Sequence, residues 1–172
     1  EAAGADVDPA RFKAPEGELE AKAFQHQIAF NCIPHIDVLL DDGSTKEEWK
    51  MVVETKKIMH EPDLAVSATC VRVPVLRCHG ESINVEFDSE VTVEAAREAL
   101  AAAPGVVLMD DTANGVYPMP GLLAGTNETY VGRIRKDASV EHGLNFWEVA
   151  DQIRKGAALN AVQIAELLLP KE

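Results

Sequence analysis

Positive charge is scarce in this chain. Sixteen Lys and Arg stand against 29 Asp and Glu, leaving a formal net charge of −13. A surface of that sign does not suit a phosphate backbone, so nucleic acid is excluded as a partner. Small phosphorylated ligands remain open, because a few well-placed cations are enough for them. Cysteine is also sparse: Cys32, Cys70 and Cys78 make an odd set without metal-ligand spacing. That argues against a disulfide framework and predicts mostly buried thiols in a reducing compartment, with the cytoplasm as the default. No apolar run reaches the ~20 residues that span a bilayer, so no membrane is expected as a partner. No basic start followed by an apolar stretch marks a secretory signal. The first residue is Glu1, not Met, and the chain is expected to begin partway through a longer one. Internal repeats and the glycine-rich strand–turn–helix of a dinucleotide fold are also lacking.

What is present is ordinary for a globular domain. Hydrophobic residues make up 47% of 172 and charged residues 26%, enough for one domain with a core, or one domain with a docking appendage. Residues 1–23 are rich in Ala, Glu, Asp, Gly and Pro and predict a loop or flexible segment. Phe24 to Asn31 reads as extended, and Pro34 interrupts it. Asp42-Gly43-Ser44 predicts a turn. Ser44 with Glu47 has the spacing of a capping box, opening a helix that runs to about His60. Strands are predicted over 70–76 and 82–87, with a sharp break near Gly80. Thr92 caps a helix over 93–103 that stops at Pro104-Gly105. A short strand over 106–109, a long loop over 110–127, strands over 129–134 and 144–149, and a helix over 156–169 complete the pattern. The fold class is α+β: a mixed, largely antiparallel sheet with helices packed on one face.

The stretch Arg72-Val-Pro-Val-Leu-Arg-Cys-His79-Gly80 is the most unusual. A straight strand would hold Arg72 and His79 ~23 Å apart, but Pro74 and Gly80 predict a break. Arg72 has apolar neighbours, where a guanidinium needs a carboxylate or phosphate, and its planar fork suits a bidentate carboxylate grip. Ordinary readings stand beside these. A lone His at a strand end is more often a surface or hydrogen-bonded structural residue, and a buried Arg usually pairs with a structural acid. Glu47 and Lys50 at a helix start are usually capping and solvated-face residues. Cys70 and Cys78 read as packed thiols, not nucleophiles.

Taken together and in order, the segments resemble aspartate-semialdehyde dehydrogenases. The resemblance rests on Asn31-Cys-Ile-Pro34, Glu47-Glu-Trp-Lys50 and Arg72-Val-Pro-Val75 followed by His79. It continues through Gly143-Leu-Asn-Phe-Trp147, Val149-Ala-Asp-Gln and Gly156-Ala-Ala-Leu-Asn160-Ala-Val-Gln-Ile-Ala, covering roughly Phe24 to Leu169. It implies the carboxy-terminal, substrate-binding and dimer-forming half, of the semialdehyde dehydrogenase and glyceraldehyde-3-phosphate dehydrogenase type. Residues 24–152 would then be the catalytic and dimerisation domain. Residues 153–172 would be a helix returning to a dinucleotide-binding half that this sequence does not contain.

The resemblance also implies an activity: aspartate semialdehyde, phosphate and NADP interconvert with aspartyl phosphate and reduced NADP. Carried over by position, His79 is similar to the general acid/base, and Arg72 to the residue that grips the substrate carboxylate. Glu47 resembles the acceptor for the substrate ammonium, Lys50 a phosphate contact, and Asn160 a contact to the nicotinamide amide. The family's nucleophilic Cys, its Gln-x-x-Ser-Gly-x-Gly motif and a further phosphate-binding Arg have no counterpart here. The chain alone is therefore expected to be inactive and to form a homodimer. The alternative is a non-catalytic dimerisation or regulatory module on the same scaffold. A related N-acetylglutamyl-phosphate reductase is disfavoured by the Glu-Glu-Trp-Lys helix.

Overall fold

The computed structural model describes residues 21–170, so most of the segment expected as a loop over 1–23 lies outside the described residues. The chain divides into two compact units, Glu1–Pro74 and Val75–Glu172.

The first unit is organised by helix α1 (Lys46–Met59). Its start falls one residue later than the sequence pattern predicts. Thr45 is the N-cap and Glu48, not Glu47, completes the capping box: Glu48 N–H donates to Thr45 Oγ1 at 3.3 Å and Thr45 N–H to Glu48 Oε2 at 2.7 Å. Both Ser44/Glu47 and Thr45/Glu48 carry the required spacing. Local chemistry decides between them, because the Ser44 N–H and hydroxyl both donate to Asp42 Oδ1 within the preceding turn. α1 stops where His60 enters the left-handed region at φ 57° and its N–H turns back to the carbonyls of Lys56 and Lys57.

Two predicted strands of this unit do not form as such. Over 24–31, side-chain bonds from Gln27 to Ala29 O and from Asn31 to Gln27 O, with the Asn31 N–H on Ile28 O, make a turn instead of an extended segment. The predicted strand over 70–76 is reduced to one antiparallel bridge, Ile33 with Arg72, closed by two backbone bonds of 2.9 Å. The ladder cannot lengthen in either direction. Pro74 has no N–H to give, and the Cys70 N–H is already donated to Glu48 Oε1 at 2.9 Å.

The second unit is built on a four-stranded sheet of order β1-β4-β3-β2, where β1 is His79–Glu86, β2 Val106–Leu108, β3 Thr129–Asp137 and β4 Gly143–Ala150. β4 pairs antiparallel with both neighbours, and β2 joins β3 in parallel. The expected α+β class with a mixed, mostly antiparallel sheet is the one observed. β1 begins three residues earlier than predicted, and Gly80 is no break. A Cβ there would come within 2.6 Å of Trp147 Cζ2, so glycine lets the indole of β4 lie across the backbone of β1. β3 is bulged between Gly132 and Arg135, with Arg133 at φ 57° and its N–H on Asp110 Oδ1 at 2.6 Å.

Helix α2 (Val93–Ala102) is capped by Thr92 as predicted and packs on β2 and β3, with Arg97 paired to Asp110 at 2.9 Å. The long connection over 110–127 holds a 3₁₀ turn (Thr112–Asn114) and a single-turn helix α3 (Pro120–Leu123). It gives the sheet its cover: Leu123 joins Cys78 and Val149 in the core beside Tyr130 and Trp147. Pro118 O accepts the Trp147 indole N–H at 2.9 Å. The closing helix starts irregularly. A π-helical stretch (Arg154–Ala158) precedes α4 (Leu159–Leu167), so the regular helix is shorter than the predicted span. Val162, Ile164, Leu167, Leu168 and Leu169 are exposed on and after it. Among the described residues no helix is long and apolar enough to cross a membrane.

Candidate functional site

Glu47, Lys50 and Arg72 belong to the first unit, and His79 and Asn160 to the second. Glu47 and Lys50 stand three residues apart in the first turns of α1, and their side chains meet at 3.0 Å. The Glu47 carboxylate, by hydrogen bond and by charge, holds the Lys50 ammonium above its usual range. Both side chains are partly exposed, so the pair is available to a ligand that offers each of them a better partner.

Arg72 is fixed through its backbone, which exchanges both hydrogen bonds with Ile33. Its guanidinium lies over the Phe24 ring, 4.7 Å from the centroid. Such stacking orients the planar fork while leaving its in-plane donors unused. Among the described residues it forms no ion pair with an acid, so the structural partner that a half-buried Arg usually has is missing.

His79 is the first residue of β1, exposed and paired in register with Ala150. Cys78 before it is buried, and that burial, followed by the charge of Asp151, pushes its thiol above the ordinary range. It is a packed thiol, as expected. Cys70 is half-buried and Cys32 exposed, so the thiols expected to be mostly buried are so only in part: the isolated bridge at Ile33 leaves the neighbouring Cys32 side chain outside. Asn160 lies on the first turn of α4, its carboxamide exposed and without a hydrogen-bonding partner among the described residues.

Two features were given no role from the sequence, although Asp151 and Gln152 stand within the Val149-Ala-Asp-Gln motif. Asp151 and Gln152 follow β4 and bind the residues just before His79. Asp151 is fully buried. Burial pushes its carboxyl up, but the Arg77 guanidinium and the N–H groups of Gly125 and Ile153 outweigh this and hold it at about 2. The second feature is Glu148 on β4. Burial, and then the facing charge of Glu81, raise it to about 7. Neither could be singled out beforehand, because the position of an acid on a sheet face follows from register, which the sequence does not state. The one available signal was Asp-Gln at the end of an apolar strand. A cleft of about 420 Å³ at the far end of α1, among Val53, Lys56, Lys57, His60 and Pro62, contains none of the candidate residues.

Comparison with known proteins places the chain in a family. Residues 7–155 match the model described as semialdehyde dehydrogenase, dimerisation domain. The chain is 59% identical over 150 residues to an aspartate-semialdehyde dehydrogenase of Aquifex aeolicus, covering 87% of this chain and 44% of that protein. It is similar to the crystal structure of aspartate semialdehyde dehydrogenase II of Vibrio cholerae complexed with ASA, with a TM-score of 0.84 and 46% identity. That match covers 89% of this chain and 45% of the other. The aspartate semialdehyde dehydrogenase of Candida albicans, solved with NADP, aligns at a TM-score of 0.66 and 26% identity, over 82% of this chain and 45% of that one. The chain thus spans under half the length of these relatives. It belongs to the semialdehyde dehydrogenase dimerisation-domain family, in the aspartate-semialdehyde dehydrogenase branch that these relatives share.

Proposed function

We propose that this chain is the substrate-binding and dimer-forming part of an NADP-dependent aspartate-semialdehyde dehydrogenase, acting with a dinucleotide-binding half and a nucleophilic Cys supplied by a longer protein. What supports the reading is a set of family-signature side chains left without protein partners. The Arg72 guanidinium has no acid beside it among the described residues, and the His79 imidazole and Asn160 carboxamide have no hydrogen-bonding partners there. His79 and Asn160 are exposed to solvent, so the weight falls on Arg72: a half-buried guanidinium normally has an acid beside it, and an unpaired one at a family-signature position points to an anionic ligand.

In this reading Arg72 holds the substrate carboxylate with two parallel N–H donors, a geometry that a Lys cannot reproduce. Glu47 accepts from the substrate ammonium and releases Lys50, whose ammonium then meets phosphate. His79 donates a proton to the oxygen of the aldehyde as the thiolate adds to its carbon, and takes it back as the carbonyl re-forms. Its imidazole suits both directions near neutral pH. NADP, held chiefly by the dinucleotide-binding half, would supply the hydride acceptor, and Asn160 is the residue of this chain that would contact its carboxamide. Phosphate then displaces the thiolate from the thioester to give aspartyl phosphate. The exposed apolar residues of α4 pack against the dinucleotide-binding half, two copies associate through this chain, and the protein works in the cytoplasm.

The experiment is steady-state kinetics on the longer protein. His79→Ala is expected to lower kcat by ~10²-fold or more, and Arg72→Lys to act mainly on the KM for the semialdehyde. The 172-residue chain alone is expected to reduce no NADP. Unchanged turnover and affinity in both variants, or robust NADP reduction by the chain alone, overturns the reading.

A further inference from the structure

The two residues before His79 are held by the two residues that follow its register partner. Ala150 faces His79 across the β1–β4 ladder, and Asp151 and Gln152 come next. Asp151 grips Arg77 in a two-pronged pair: Nε to Oδ1 at 3.0 Å and Nη2 to Oδ2 at 2.6 Å. The remaining capacity of the same carboxylate takes the Ile153 N–H on Oδ1 at 3.0 Å and the Gly125 N–H on Oδ2 at 2.7 Å. Gln152 Oε1 accepts the N–H of Cys78 at 2.8 Å. Cys78 needs this support, because it is a buried non-glycine residue in the left-handed region at φ 77°. Such a conformation persists only where its surroundings over-determine it. The left-handed step at Cys78 also sets the direction in which β1 departs, and so the side on which the imidazole of His79 is presented.

We propose that Asp151, through Arg77, and Gln152, through Cys78, are positioning residues that fix the backbone turn ahead of His79 and thereby aim its imidazole. The catalytic part of this inference rests on the acid/base reading of His79; the structural part does not. None of these residues touches substrate. They act because a general acid must meet the substrate oxygen within hydrogen-bonding reach, and small displacements of a reacting group are costly to rate. Gly125 brings a third segment into the arrangement, so the connection that covers the sheet is tied to the same carboxylate.

The test has two independent arms. In the 172-residue chain, the ring and backbone resonances of His79 are followed by NMR in Arg77→Lys, Asp151→Asn, Gln152→Ala and Gln152→Glu. The first three are expected to shift or broaden His79 and Cys78 while leaving the 137–143 turn unchanged. Gln152→Glu keeps an acceptor oxygen for the Cys78 N–H and is expected to restore the parent positions. If Asp151→Asn does not fold, Arg77→Lys decides, since Arg77 is half exposed. Parent-like His79 resonances in folded variants overturn the inference. In the longer protein, Arg77→Lys and Gln152→Ala are expected to lower kcat by roughly 10- to 100-fold with the semialdehyde KM within about twofold. Parent kcat in these variants, beside a crippled His79→Ala, overturns the catalytic part. Should His79→Ala itself leave turnover intact, the acid/base reading falls, and the positioning claim is then decided by the resonances alone.

Discussion

Replacing Glu148 by Gln is expected to stabilise the protein at pH 8 and to have a clearly smaller effect at pH 5. Glu148 sits on β4 between two partners in register, Glu81 on β1 and Val131 on β3. No Lys or Arg forms an ion pair with either glutamate among the described residues. Burial, and then the facing Glu81, lift its carboxyl from 4.5 to about 7. The folded chain therefore binds a proton there that the unfolded chain has already lost. Stability is highest below the unfolded value, declines as pH rises from about 4.5 to 7, and is level above that. A shift of that size corresponds to at most about 3.4 kcal/mol, and solvent screening of a partly exposed pair reduces this to about 1–2 kcal/mol. The lowered carboxylates, Asp42, Glu48, Asp137 and Asp151, contribute stability that is lost only as pH falls through their depressed values. They are constant between pH 5 and 8, so this window isolates Glu148 from them. Urea unfolding at one fixed protein concentration, followed by tryptophan fluorescence at both pH values, measures the difference between parent and variant. A variant that keeps the parent's pH slope, or a difference that grows toward pH 5, refutes the reasoning.

Three further outcomes follow from packing and capping. Gly132→Ala is expected to destabilise the second unit by more than about 2 kcal/mol, because its Cβ would collide with the Met109 carbonyl and lie 2.8 Å from Pro118 Cδ; thermal unfolding reads this directly. Thr45→Ala should cost about 0.5–2 kcal/mol through the lost cap, while Ser44→Ala should stay within about 0.5 kcal/mol; equal losses in the two variants would put the cap back on Ser44. A thiol reagent should label exposed Cys32 quickly and buried Cys78 only on unfolding, as peptide mass mapping with time will show.

Much of the second unit was legible because its signals are local. Thr92 before an alanine-rich run, Pro104-Gly105 after it, and the apolar strands near 130 and 146 each carry their own start or stop. The misses share a different cause. At Ser44 and Thr45 two valid caps compete, and a turn three-dimensionally upstream, at Asp42, takes one of them out of use. At 70–76 the composition favours a strand, yet a ladder also needs donors. Pro74 has none, and the donor of Cys70 is spent on a helix carboxylate. Gly80 reads as a break only while its partner is unknown, since the Trp147 indole that requires it lies 67 positions away by residue number. For the candidate site, the family resemblance pointed to Arg72, His79, Glu47, Lys50 and Asn160. Asp151 and Glu148 acquire their character from register and burial, and no pattern of neighbours along the chain conveys either.

The carboxylate of Glu48 serves two segments at once. One oxygen receives the Thr45 N–H at the entrance of α1, and the other receives the Cys70 N–H two residues ahead of Arg72. Glu47 and Lys50 therefore ride on the same pivot as Arg72, although the two segments are more than twenty residues apart in the chain. Those two bonds, that of Cys70 first, also lower the pKa of the carboxyl from its usual value. Sufficient acidity would loosen helix entrance and arginine tether in one event, so the side chains of Glu47, Lys50 and Arg72 would lose their footing together.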